Sequence, residues 1–108
     1  MNSQYKKGVL ELCVLALLSE RDCYGYEISD RLSQSIDIAD GTVYPILRKL
    51  KADGLLTTYL QEASGGPPRK YYKLTSLGAE SFARDRAEYL EFVAAVQKLL
   101  EADKNDKG

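Results

Sequence analysis

A chain of 108 residues is the size of one domain, large enough for a single hydrophobic core and small enough to gain from a partner subunit. Its 44% hydrophobic and 29% charged residues describe a soluble globular protein, and a net charge of -1 excludes a polycation that coats nucleic acid indiscriminately. The absence of histidine excludes imidazole acid–base catalysis and histidine-ligated metal, and Cys13 and Cys23 match neither zinc nor CxxC spacing.

The charge is unevenly spread. Residues 1–40 carry four basic and seven acidic side chains, and residues 76–108 carry five and seven. Residues 41–75 carry six and two, so a local charge of +4 lies between two acidic flanks, as a localised phosphate-facing surface requires. A solvated hairpin whose lysines discourage edge pairing accounts for part of this pattern.

Met1 to Tyr5 is polar and expected to fray, and Lys6 and Lys7 open a first helix over about 5–19. Leu10, Cys13, Val14, Leu17 and Leu18 recur at helical spacing, yet Val9, Leu12, Leu15 and Ala16 make the other faces apolar too. Such a helix expects neighbours on more than one side, either within its own core or from a second subunit. The run Val9 to Leu18 contains Glu11 and lacks the layout of a membrane span or signal peptide, so a cytoplasmic protein without a membrane partner is expected. Cys13 reads as a buried thiol, whereas Cys23, in the charged turn after Glu20, is the better redox candidate.

A second helix is expected over about 24–34, with Tyr24, Ile28 and Leu32 on one face and Gly25 placed for close approach of another backbone. Asp40 or Thr42 is expected to cap a third helix over about 41–53, with Pro45 in or just after its first turn. On that helix Val43, Ile46, Leu47 and Leu50 share one face. Pro45, Arg48, Lys49 and Ala52 share the opposite one, with Thr42 and Tyr44 on its flanks. A short cationic face of hydrogen-bonding and flat side chains suits entry into a DNA major groove, and the order helix, turn, capped helix is that of a helix-turn-helix.

Gly54 is expected to end the third helix in a left-handed conformation. Strands over about 55–62 and 69–74 flank ASGGPPR, whose glycines and prolines make a projecting tip with Arg69 and Lys70 at its base. Thr75 or Ser76 caps a last helix over 76–102, in which Phe82, Tyr89, Val93, Val96 and Leu100 form a heptad-like seam longer than a small core requires. Residues 103–108 are charged and expected to be disordered. The fold class is therefore mainly α with a small β-hairpin (α+β). It is organised as a winged helix-turn-helix over 1–75 and a long C-terminal dimerisation helix.

The stretches LELCVLALLSERDCYGYEI, DGTVYPILRKLKADGLL and GGPPRKYYKLTSLG resemble the short, single-domain branch of the PadR-like transcriptional regulators, over most of the chain. The resemblance implies a homodimer bound to a palindromic operator in double-stranded DNA, with third helices in successive major grooves, wings on the flanking backbone, and usually repression. It implies DNA contacts from Thr42, Tyr44, Pro45 and Arg48 on the helix and from Gly66, Arg69 and Lys70 on the wing, and Lys49 joins them by its place on the outward face of the helix. Lys6 and Lys7 add phosphate contacts. Tyr44 equally suits packing between the second and third helices. Pro67 and Pro68 stiffen the wing tip and shorten its reach.

The implied dimer interface is Leu10, Val14, Leu17, Phe82, Tyr89, Phe92, Val93, Val96, Leu99 and Leu100. Tyr89, Phe92, Val96 and Leu99 are the candidates for holding a small apolar or aromatic effector there, although the same residues suit a dry seam. No tryptophan is present, so an indole-walled sensor pocket is excluded. No cofactor or metal is expected. The rival readings are a winged-helix module that binds protein rather than DNA, and a redox sensor acting through Cys23. An enzyme has neither a glycine-rich phosphate loop nor carboxylates at catalytic spacing to support it.

Overall fold

The computed structural model describes residues 3–39, 41–62 and 65–101, with side chains from Lys7 onward. In chain order it contains α1 (Ser3–Glu20), β1 (Cys23–Tyr24), α2 (Gly25–Ser33), α3 (Val43–Ala52), β2 (Leu56–Gln61), β3 (Arg69–Leu74) and α4 (Ser76–Glu101). Asp40, the wing-tip residues Ala63 and Ser64, and the tail over 103–108 lie outside the described residues. Among the described residues no helix is long and apolar enough to cross a membrane.

The core forms where three helices converge. Leu10, Val14, Leu15 and Leu18 of α1 meet Ile28 and Leu32 of α2, Val43, Ile46, Leu47 and Leu50 of α3, and Cys23 and Leu56 from the sheet. Each fully buried aliphatic side chain contributes about 1.5–3 kcal/mol, so α3 is held through its four buried residues rather than by intrinsic helicity. This placement corrects one expectation. Leu10 (4% exposed) and Val14 (0%) are consumed by the chain's own core and have no surface left for a second subunit. Leu17 and Phe82 pack against the same core while staying partly exposed.

The sheet has an unexpected member. β3 is its centre, antiparallel to β2 on one side and to the two-residue β1 on the other. Tyr24 therefore precedes α2 as a strand residue opposite Tyr71, and the helix begins at Gly25. A β-carbon at Gly25 would lie 2.9 Å from Cε1 of Tyr44, so this glycine admits a ring from α3, not the backbone that the sequence suggests. The start of α3 also differs from expectation. Thr42 already has helical angles and makes no side-chain cap, and the turn before it is made by Gly41 at φ 84°.

The end of α3 is more tightly specified. Gly54 has φ 80°, its N–H donates to the Lys51 carbonyl (3.0 Å), and the Leu55 N–H reaches back to the Leu50 carbonyl (3.0 Å). This paired arrangement satisfies carbonyls that the helix end would leave bare. The Thr75 hydroxyl donates to the Gly54 carbonyl (2.7 Å) and accepts from the Gly78 N–H (2.9 Å), so Thr75 rather than Ser76 caps α4. Its own N–H donates to the Leu55 carbonyl (3.1 Å).

From that root α4 runs past the body of the protein. Gly78 and Ser81 are its buried residues, whereas Phe92 (58% exposed), Leu99 (76%) and Leu100 (74%) present large apolar groups to solvent.

Gly78 makes the root fragile in one respect. Alanine within a helix normally gains about 0.5–1 kcal/mol over glycine, but a β-carbon here would sit 2.1 Å from the Leu55 carbonyl oxygen. Gly78→Ala is expected to destabilise the fold by about 1–3 kcal/mol as a lowered urea midpoint. A raised midpoint would show that α4 is not seated against the start of the wing.

Candidate nucleic-acid interface

The outward side of α3 divides into two flanks with different surroundings. Tyr44 and Arg48 look toward β3 and the start of α2. There a cleft of about 490 Å³ is lined by Tyr24, Gly25, Tyr26, Tyr44, Arg48, Arg69, Lys70 and Tyr72. Four elements, β1, α2, α3 and β3, thus bring three cations and four phenol rings together, and among the described residues no acidic side chain lines the space. Cationic, hydrogen-bonding walls of this kind suit a phosphate backbone.

A row of rings sets the position of the wing wall. The strand register puts Tyr24, Tyr71 and Tyr59 side by side across the three strands. Tyr59 stacks on Tyr71 (centroids 5.6 Å apart, planes 13° apart), and Tyr71 meets Tyr24 edge-on (5.6 Å, 65°). The Arg69 guanidinium lies 4.6 Å above the Tyr24 ring. Aromatic pairs contribute about 0.5–1.5 kcal/mol beyond area burial and an exposed cation–π contact about 0.5–1 kcal/mol. The outer end of the row is closed by Tyr59, whose hydroxyl donates to Asp22 Oδ2 at 2.7 Å. That hydrogen bond, with a smaller contribution from lost hydration, pushes the Tyr59 phenol up to about 12. On the cleft side, burial raises the Tyr72 phenol, and Arg48 opposes that rise.

The other flank is less cationic than its sequence suggests. Lys49 Nζ lies 3.3 Å from Glu11 Oε1 and 3.1 Å from Asp53 Oδ2, so its charge is already matched and faces α1. Lys49 is therefore not part of the free basic surface expected of it. Thr42 is half-buried, and with Pro45, Lys7, Leu10, Ile38, Ala39 and Ile46 it lines an apolar pocket of about 300 Å³. Lys7 is exposed there, while the side chain of Lys6 lies outside the described residues. Gly66 is exposed on the wing loop.

Tyr24, Tyr26 and Tyr72 were not among the expected contact residues, although YGY and KYY are aromatic-rich. The missing information was strand register for Tyr24 and Tyr72 and, for Tyr26, the placement of α2 beside β3. Lys51, one turn beyond Arg48 on the same side of α3, is likewise exposed.

Cys23 corrects the redox expectation. It lies in β1 with no exposed surface, its thiol donates to the Arg21 carbonyl (3.5 Å), and Arg31 Nη1 approaches the sulfur at 3.5 Å. Burial pushes the thiol up, away from the thiolate that oxidation requires. The two arginines are themselves held by Glu27 and Glu20.

On α4, Tyr89, Phe92, Val93, Val96, Gln97 and Leu100 line an open groove of about 290 Å³. Leu99 stands outside that groove, exposed to solvent.

The chain is similar to known proteins over most of its length. Residues 14–84 match the family described as the transcriptional regulator PadR-like family. A PadR-like transcriptional regulator of Bacillus cereus has 35% identity and a TM-score of 0.83, over 92% of this chain and 98% of that one. A PadR-like transcription factor of Bacteroides fragilis has 38% identity and a TM-score of 0.76, over 90% and 95%. A transcriptional regulator of Mycobacterium tuberculosis is 28% identical over 86% of this chain and 87% of its own length.

The ring row has a titration signature. Because the Tyr59 phenol is raised in the folded state, its contribution to stability is complete below about pH 10 and is lost as pH rises toward about 12. Absorbance at 295 nm should reveal late-ionising tyrosine, of which the component near 12 disappears in Tyr59→Phe while the raised Tyr72 remains. Identical alkaline titrations, apart from the loss of one ordinary tyrosine, would refute the Asp22 contact.

Proposed function

The chain belongs to the PadR-like family of transcriptional regulators, and from that premise we propose that it is a homodimeric repressor binding a palindromic operator. The observation that carries the reading is the convergence of Arg48 and Tyr44 of α3 with Arg69 and Lys70 of the wing on one cleft that, among the described residues, no acidic side chain lines. In this reading α3 enters the major groove, where Arg48 reaches a base edge, as Pro45 and Thr42 approach the groove wall. The wing follows the adjacent backbone through Arg69, Lys70 and Gly66, and Lys7 adds charge from the start of α1. Lys49 contributes little while Glu11 and Asp53 hold it.

The two halves are joined through α4. Its outer portion carries Phe92, Leu99 and Leu100 exposed, a patch that a monomer has no use for and that a second α4 or the half-buried side of a partner's α1 would cover. The groove beside Tyr89, Phe92 and Val96 supports a further reading in which a small apolar or aromatic effector enters that interface and releases DNA.

Binding to the chain's own upstream DNA should be steeply salt-dependent. Three or four phosphate contacts per half give a log–log slope of roughly −5 to −7. The Arg48→Ala, Lys70→Ala double variant should lose most affinity and flatten the slope by about two. Unchanged binding by that variant would move the protein-interaction reading to first place. In a second measurement, Phe92→Glu with Leu99→Glu should convert a dimer to a folded monomer by light scattering and weaken DNA binding. A dimer that survives both charges would put the interface elsewhere.

A further inference from the structure

Tyr26 is the least explained large side chain of the helix-turn-helix. It is 68% exposed, and α2 buries Ile28 and Leu32 instead, so packing gives no reason for an aromatic ring at this position. Its neighbours do. Tyr26 stands on the rim of the cleft between α3 and the wing, beside the Tyr44 ring that lies over Gly25. Across the cleft stand Lys70 and Arg69, the latter held over Tyr24 by the ring row. Arg21, Arg31, Lys49 and Arg84 each meet a carboxylate, whereas among the described residues the three cations of the cleft, like the scattered Lys51, Lys73, Arg86 and Lys98, meet none, and only in the cleft do such cations converge. Phenol hydroxyls and uncompensated cations around one concavity are complementary to a phosphodiester, which accepts hydrogen bonds and carries one negative charge.

We propose that this cleft clamps one backbone phosphate of duplex DNA, with the Tyr26 and Tyr44 hydroxyls as donors from the helical wall and Lys70 and Arg69 as charges from the wing. The inference rests on the DNA-binding reading and extends it. Tyr26 becomes a DNA-contacting residue, and the contact made by Tyr44 is assigned to the backbone. The wing and the helix-turn-helix then grip the same phosphate from opposite sides, fixing the depth at which α3 sits in its groove. Gly25 becomes a positioning residue, because a β-carbon 2.9 Å from the Tyr44 ring would push that ring out of the cleft.

The test is fluorescence anisotropy of a labelled upstream fragment and of an unrelated duplex, each across a salt series, with wild type, Tyr26→Phe, Gly25→Ala and Lys70→Gln. Thermal melting confirms folding, which the exposed Tyr26→Phe change leaves intact. Tyr26→Phe should weaken both duplexes roughly tenfold with an unchanged salt slope, since a hydrogen bond to a charged group is lost without loss of charge. Lys70→Gln should weaken both and flatten the slope by about one per subunit. Gly25→Ala should reproduce the Tyr26→Phe loss. A wild type that binds neither duplex sinks the DNA reading itself. A wild type that binds while Tyr26→Phe binds equally well, or weakens on the upstream fragment alone, overturns the clamp. A fourth arm adds inorganic phosphate at constant ionic strength. Displacement of DNA at low millimolar phosphate would assign the cleft to a free anion and overturn its assignment to the duplex, whereas no displacement supports the clamp.

Discussion

One hydroxyl joins the parts of this molecule that must keep a fixed relation. Thr75 donates to the last turn around Gly54 and accepts from the first turn of α4, and its backbone N–H bonds Leu55 at the entrance to the wing. The end of α3, both ends of the hairpin and the start of α4 are thereby tied within a few residues of one another. Each tie satisfies a polar group that a helix end or turn would otherwise leave bare, which makes the junction directional as well as cohesive. Gly78 completes it by letting the α4 backbone lie against the Leu55 carbonyl, an approach closed to any side chain.

Charge and aromatic contacts then divide the surface of α3 into unequal halves. On the side facing α1, Glu11 and Asp53 neutralise Lys49. On the side facing the wing, cations are left unmatched and one of them is steadied by a ring instead. A ring steadies a guanidinium without cancelling its charge, so Arg69 stays available to an anion while losing little freedom when it binds one. The near-neutral total charge is consistent with this division, because the acidic residues that pair, Glu11, Glu20, Glu27, Asp53 and Asp85, lie outside the lining of the cleft.

What was legible in the sequence follows the range of the interactions. The four buried residues of α3 are a matter of helical period, and Gly54 of local turn chemistry, so both could be read from a few neighbouring residues. β1 could not, because two residues carry no periodic signal and pair only once β3 is in place. Lys49 looked outward by its angle on the helix, but its partner Glu11 lies in α1, on the far side of two turns and a helix. The aromatic side of the cleft is hidden in the sequence for a similar reason. Tyr24, Tyr71 and Tyr59 become neighbours only through register, which no single segment encodes. Leu10 and Val14 were misplaced because an all-round apolar α1 does not say which of its faces the chain itself will cover.

The length of α4 has a geometric consequence. Its 26 residues span about 39 Å and are rooted where α3 ends. In the proposed dimer the helix would act as a lever arm whose root carries α3. A tilt of about 5° at the far end displaces the root by about 3.4 Å, close to the rise of one base step. Spacing between two reading heads would then be set by the angle at which two such arms cross, and a substitution far from any nucleotide could retune it by one step.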